Sequence, residues 1–185
     1  ALPILERVQK KNPNNMQVAV NIGKIHNAHK NYKAAEKQFI KALALDDRNP
    51  KAHHGLGIAF LRSNKIEPAI DEFLLAIEEN FFMPNVHYHL GEAFFKAGYF
   101  QHAVEAFEVA VRLSPGMTKA HKWLVEIYSK NLLNEAAKKE HELFLKENIK
   151  GELNIITGLK GSGFEEILEA LVENGIEVSQ NKKFD

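Results

Sequence analysis

Three histidines, His53, His87 and His121, recur thirty-four residues apart. A ladder of imidazoles invites a metal reading. Ligands of one zinc stand about 2 Å from the ion, whereas stacked helices lie roughly 8–10 Å apart. One ion cannot bridge three such positions, so they read as helix-packing residues. His26 and His29 lie one turn apart, but no carboxylate stands at ligand spacing beside them, and no metal is expected. The second group is the loop from Gly158 to Gly163, which carries Lys160, Gly161 and Ser162. Its glycine spacing is that of a phosphate cradle, with free backbone N–H groups leading into a helix N-terminus. The lysine and hydroxyl residue that should follow are Phe164 and Glu165 instead. Glu165 and Glu166 would fall in the first helical turn, where they satisfy the helix dipole and repel an anion. Gly158, Lys160, Gly161, Ser162 and Gly163 are thus a candidate anion loop, and no cofactor is expected. The chain has no cysteine, which removes thiolate metal sites, a Cys nucleophile and disulfides. No Ser-His-Asp constellation or paired-acid site can be assembled, so no catalytic residue is assigned.

The elements that must position these residues are helical. Residues 84–117 hold Leu90 and Phe94 four apart, then Ala103, Phe107 and Ala110, the period of two helices with one apolar face each. Gly98 between them permits a left-handed helix end, and Pro115 stops the second helix. The unit is a helical hairpin, and it recurs: Ile22-Gly23, Leu56-Gly57 and Leu90-Gly91 are spaced by thirty-four. Such a period marks a solenoid of stacked units. Four units follow one another, 16–49, 50–83, 84–117 and 118–151. Numbered from each unit's start, position 20 is Ala35, Ala69, Ala103 and Ala137, and position 24 is Phe39, Phe73, Phe107 and then His141. Position 27 is Ala42, Ala76, Ala110 and then Phe144. Small residues let helices approach and large ones fill the space beside them. Residues 1–15 resemble the second half of a hairpin, with Ala1, Leu5 and Val8 at its apolar positions; a single helix capping the solenoid's N-terminal end is the alternative. The chain therefore reads as a piece of a longer protein that opens inside a unit. The fourth unit is bulkier at Val125, His141 and Phe144, so its neighbour is expected to differ, with Phe144 packed against the segment that follows.

These positions resemble the tetratricopeptide repeat. The resemblance implies an all-α superhelical solenoid of antiparallel helix pairs, with first helices lining a concave groove that binds peptides or proteins. On that geometry positions 2, 5, 9, 12 and 13 face the groove. They supply Lys24, Lys51, Arg62, Lys96, Lys119, Lys122 and Lys130 against Glu92 and Glu126. His54, Ile58, Leu61, Tyr88 and Phe95 would add apolar and aromatic contacts. Second helices carry Asp71, Glu72, Glu78, Glu79, Glu105 and Glu108, so a basic groove and an acidic back are expected. An acidic or carboxylate-terminated peptide with hydrophobic anchors suits such a groove. Chaperone-tail clamps of the family use Asn at position 9 of one unit and position 6 of the next. Lys24 and Gly55 stand there, so that partner is not expected.

Residues 152–185 change character. Leu153 to Thr157 favours a strand, Phe164 to Glu173 has helical spacing, and Ile176 to Val178 could be a second strand: a small βαβ-like appendage. The run from Thr157 to Val178 also resembles the opening of a P-loop sulfotransferase domain. Thr157, Gly158, Leu159, Ser162, Gly163 and Gly175 agree with it, whereas Lys160, Gly161 and Phe164 replace binding groups. An unpaired strand near Leu153 would allow two copies to join edge to edge as a homodimer.

Acidic and basic residues number 24 each, so no bulk field draws the chain to nucleic acid or anionic lipid. No run approaches the ~18 apolar residues of a membrane span. Nucleic acid and membrane are not expected partners; a cytoplasmic location is favoured, although no compartment is fixed. The expected function is a non-catalytic protein-interaction scaffold. The alternative is the accessory arm of a larger enzyme with a degenerate P-loop segment.

Overall fold

The computed structural model describes residues 2 to 129. All regular structure among them is helical: α1 (Leu2–Lys11), α2 (Met16–Ala28), α3 (Tyr32–Leu43), α4 (Pro50–Arg62), α5 (Ile66–Glu79), α6 (Pro84–Ala97), α7 (Phe100–Leu113) and α8 (Thr118–Ser129). The expected appendage, the anion loop, Phe144 and Lys130 lie outside the described residues. The chain divides into two compact units, residues 1–113 and 114–185.

The first unit is a row of hairpins, α2–α3, α4–α5 and α6–α7, each packed on the next. Helix starts follow local chemistry. Asn15 and Asn49, one period apart, accept from the backbone N–H of Val18 (3.1 Å) and Ala52 (3.0 Å). Pro50 and Pro84 open their helices where the missing N–H costs nothing. The first helix of each hairpin ends one or two residues before a left-handed position: Gly98 has φ 83°, and Lys30 and Asn64, at the same place in their units, have φ 59° and 60°. Only glycine adopts this conformation without strain; the sequence marks the turn at Gly98 and conceals it at the other two.

The core lies between hairpins and repeats with the period. Phe39, Phe73 and Phe107 are completely buried, as are Ala35, Ala69 and Ala103. Burying each phenyl contributes roughly 2–3 kcal/mol. Every ring lies on a glycine: an added Cβ would come within 2.8 Å of Phe39 at Gly23, 2.5 Å of Phe73 at Gly57 and 2.6 Å of Phe107 at Gly91. These glycines are required by close approach and not by φ. Phe39 also fills the space above Gly55 of the next hairpin, where a Cβ would stand only 2.2 Å away. Helix α1 packs on α2 but buries none of its own residues, and Ile4 and Val8 are 67% and 40% exposed. Val8 thus does not serve as the core position its spacing implies. In the second unit, Ala120, Leu124 and Ile127 of α8 are buried.

Within the first unit α2 contacts α4 and α4 contacts α6, whereas the second helices do not approach one another as closely. This row of first helices carries the candidate groove positions on α2, α4 and α6.

Candidate partner-binding groove

The ladder histidines have a structural task. Nε2 of His53, His87 and His121 lies 2.8, 2.8 and 2.9 Å from the carbonyl six residues earlier, that of Asp47, Phe81 and Pro115. Each imidazole donates to a carbonyl of the connection entering its helix, and that of Phe81 accepts from the Met83 N–H as well, at 2.9 Å. His53 Nδ1 also meets Glu72 at 2.7 Å, so one of the acidic second-helix residues is turned inward. Burial lowers the His87 pKa below the ordinary imidazole value, against the opposing pull of the Phe81 carbonyl. Among the described residues no three metal-ligating side chains converge.

The first-helix face brings together Lys24, His54, Arg62, His89 and Glu92. His54 Nε2 lies 3.0 Å from His89 Nδ1, and the same His89 Nδ1 lies 2.6 Å from the Asn85 carbonyl. A carbonyl only accepts, so His89 Nδ1 carries the proton and shares it between Asn85 and His54. His54 Nε2 is then an acceptor with its lone pair engaged. Beneath the pair sits Phe73, stacked on His89 at 6.0 Å and 21° and tilted against His54 at 6.0 Å. Tyr88 borders the pair, 5.1 Å from His89 and 5.9 Å from Phe107 between ring centroids. Phe95 meets Phe100 edge-on at 5.4 Å. His54 is half-buried. Its pKa is pushed down to about 3 by burial first, then by His89 and Lys24, against a small opposing effect of the Asn85 carbonyl.

Charge on this face is less basic than its composition. Arg62 reaches Glu92 at 2.9 Å, and Glu92, only 7% exposed, also lies 4.0 Å from His89 Nε2. The pair neutralises Arg62 and fixes the α4–α6 contact. Lys24, Lys51 and Lys96 are exposed and make no ion pair among the described residues. Leu61, expected along the groove, is completely buried in the cluster with Phe73 and Leu90 and contributes nothing to this face. Helical drift turns it inward at the end of α4, where the next hairpin covers it. Ile58 is half-buried against the same cluster. Lys119, Lys122 and Glu126 stand on α8 of the second unit.

His89 is the residue that sequence reasoning passed over. It occupies position 6, where the preceding unit has Gly55 under the Phe39 ring. A histidine in a glycine's place, on the ring of Phe73, was the available signal.

Family models described as tetratricopeptide repeat match residues 1–53, 28–84 and 84–117, together more than half of the chain. No curated protein matches the chain. A crystal structure of MamA is similar at TM-score 0.68 and 22% identity over 95% of this chain and 90% of that one. A second MamA structure has 26% identity and TM-score 0.67 over 81% and 82%. The first repeat domain of Spaghetti (RPAP3), solved with the HSP90 peptide SRMEEVD, has 21% identity and TM-score 0.61 over 64% of this chain and 94% of its own.

Proposed function

The chain belongs to the tetratricopeptide repeat family, and from that premise we propose that it is a non-catalytic scaffold holding an acidic peptide or protein segment along the first-helix face. The observation that carries this reading is the set of exposed cations Lys24, Lys51 and Lys96, which make no ion pair among the described residues, on first helices of which α6 also carries the half-buried rings of Tyr88, His89 and Phe95. Exposed cations steer an acidic chain, and half-buried rings offer apolar contact that does not need unfolding of the core. A solved relative in the same fold holds a peptide. The chaperone tail itself is not the expected occupant. An asparagine at Gly55 has no room, because Phe39 already fills the Cβ position.

The test is an array of peptides that pair acidic residues with Leu, Phe or Met, each beside a version with Gln and Asn for Glu and Asp. Wild-type protein should retain the acidic members preferentially, and Lys24→Glu with Lys51→Glu should lose that preference while keeping its helix content. Equal retention of charged and uncharged members would refute the groove assignment.

A further inference from the structure

The His54–His89 contact joins two adjacent first helices through a single shared proton. His89 Nδ1–H is committed to the Asn85 carbonyl and to His54 Nε2, at 2.6 and 3.0 Å. A proton added to His54 Nε2 would face another N–H across 3.0 Å, so the imidazole–imidazole bond breaks when His54 becomes charged. The new cation would also stand near Lys24 from α2, with Lys51 one turn before it on α4. From α6 it meets His89, whose far nitrogen faces Glu92, already held by Arg62. From α5 comes the phenyl ring of Phe73, while Glu72 of the same helix is held by the neighbouring His53, and α3 meets α4 through Phe39 at Gly55. Among the described residues no carboxylate is hydrogen-bonded to or ion-paired with His54 itself. Burial and two nearby cationic or imidazole groups keep the ring neutral in the isolated protein.

We infer that the His54–His89 pair is where a partner's carboxylate docks, and that the carboxylate and one proton are taken up together. This rests on the groove reading above. A carboxylate brought between Lys24, Lys51 and the pair supplies the acceptor that a charged His54 lacks, and each charge makes the other favourable. The protonated pair then offers the ligand the new N–H at His54 Nε2 in place of the bond between its rings, with His89 Nδ1–H retaining its hold on Asn85. Recognition of an acidic segment is thereby made sensitive to pH.

The probe is the acetylated peptide LEFEELD, with LQFQQLN as its uncharged counterpart, titrated into the full chain by calorimetry at pH 7.5, 6.5 and 5.5 in buffers of different ionisation enthalpy. The expected result is an affinity for LEFEELD that strengthens as pH falls, approaching about tenfold per pH unit, with close to one proton taken up per peptide at pH 5.5. His54→Gln keeps a donor without titrating, and its affinity should not vary with pH. Should that variant lose helix content, the proton count on the wild-type chain decides alone. Preferential binding of LEFEELD with no proton uptake at any pH overturns this inference and leaves the groove assignment standing. No preference for LEFEELD over LQFQQLN at millimolar peptide overturns both.

Discussion

Replacing His54 by glutamine should make the isolated protein less sensitive to acid. In the unfolded chain the ring protonates near its ordinary value of 6.5, whereas in the folded chain it stays neutral down to about 3. Between those values the unfolded state binds more protons, so stability falls as pH falls. Above 6.5 both states are neutral and the ring contributes no pH dependence. Each pH unit in the window is worth about 1.4 kcal/mol. Acidification from pH 6.5 to 4.5 should therefore remove about 2.5 kcal/mol in the wild type through this ring alone, a large part of the ~5–15 kcal/mol typical of a domain. His87, also lowered by burial, acts in the same direction and is present in both proteins, so the difference between them isolates His54. The assay is urea unfolding followed by far-ultraviolet circular dichroism at pH 7.5, 6.5, 5.5 and 4.5. Glutamine loses some ring packing on Phe73, so the variant should start lower at pH 7.5 and converge on the wild type at pH 4.5. Parallel loss of stability in the two proteins, or an imidazole resonance of His54 titrating near 6.5, would refute the reasoning.

Two further outcomes follow from the packing. Gly57→Ala places a methyl within 2.5 Å of the buried Phe73 ring and should cost about 1–3 kcal/mol in urea unfolding; Gly116→Ala, where no atom lies within 4 Å of the added carbon, should show no such clash penalty. His87→Ala removes the bond to the Phe81 carbonyl and a buried ring. A loss of about 1–3 kcal/mol, together with faster hydrogen exchange at the start of α6, is expected, and unchanged exchange there would contradict its role as a tie to the preceding connection.

The repeating unit was legible because its constraints are local and periodic. A helix must turn an apolar residue inward every three or four positions, and a hairpin that cannot cover its own face must present the same small and large residues to each neighbour. Ala35, Ala69 and Ala103 and the three phenylalanines at position 24 therefore stand out at one spacing and are all buried. Less was legible on the first-helix face. The positions assigned to it were the family's, and the sequence could not say that Leu61 turns into the core or that Arg62 is cancelled by Glu92, because both depend on which hairpin arrives beside α4.

By itself the sequence determined the helical period, the thirty-four-residue step, the glycines that let phenyl rings lie on a helix backbone and the balance of charge. Its local chemistry also marked Gly98 as a left-handed turn. Tertiary structure alone decided that Lys30 and Asn64 bear the same turn as Gly98, that the ladder histidines hold carbonyls six residues back, and that His54 and His89 share a proton. The reason is one of range. Side-chain periodicity is written along a single helix, whereas the state of a titratable group depends on charges and solvent brought to it from helices thirty or more residues away.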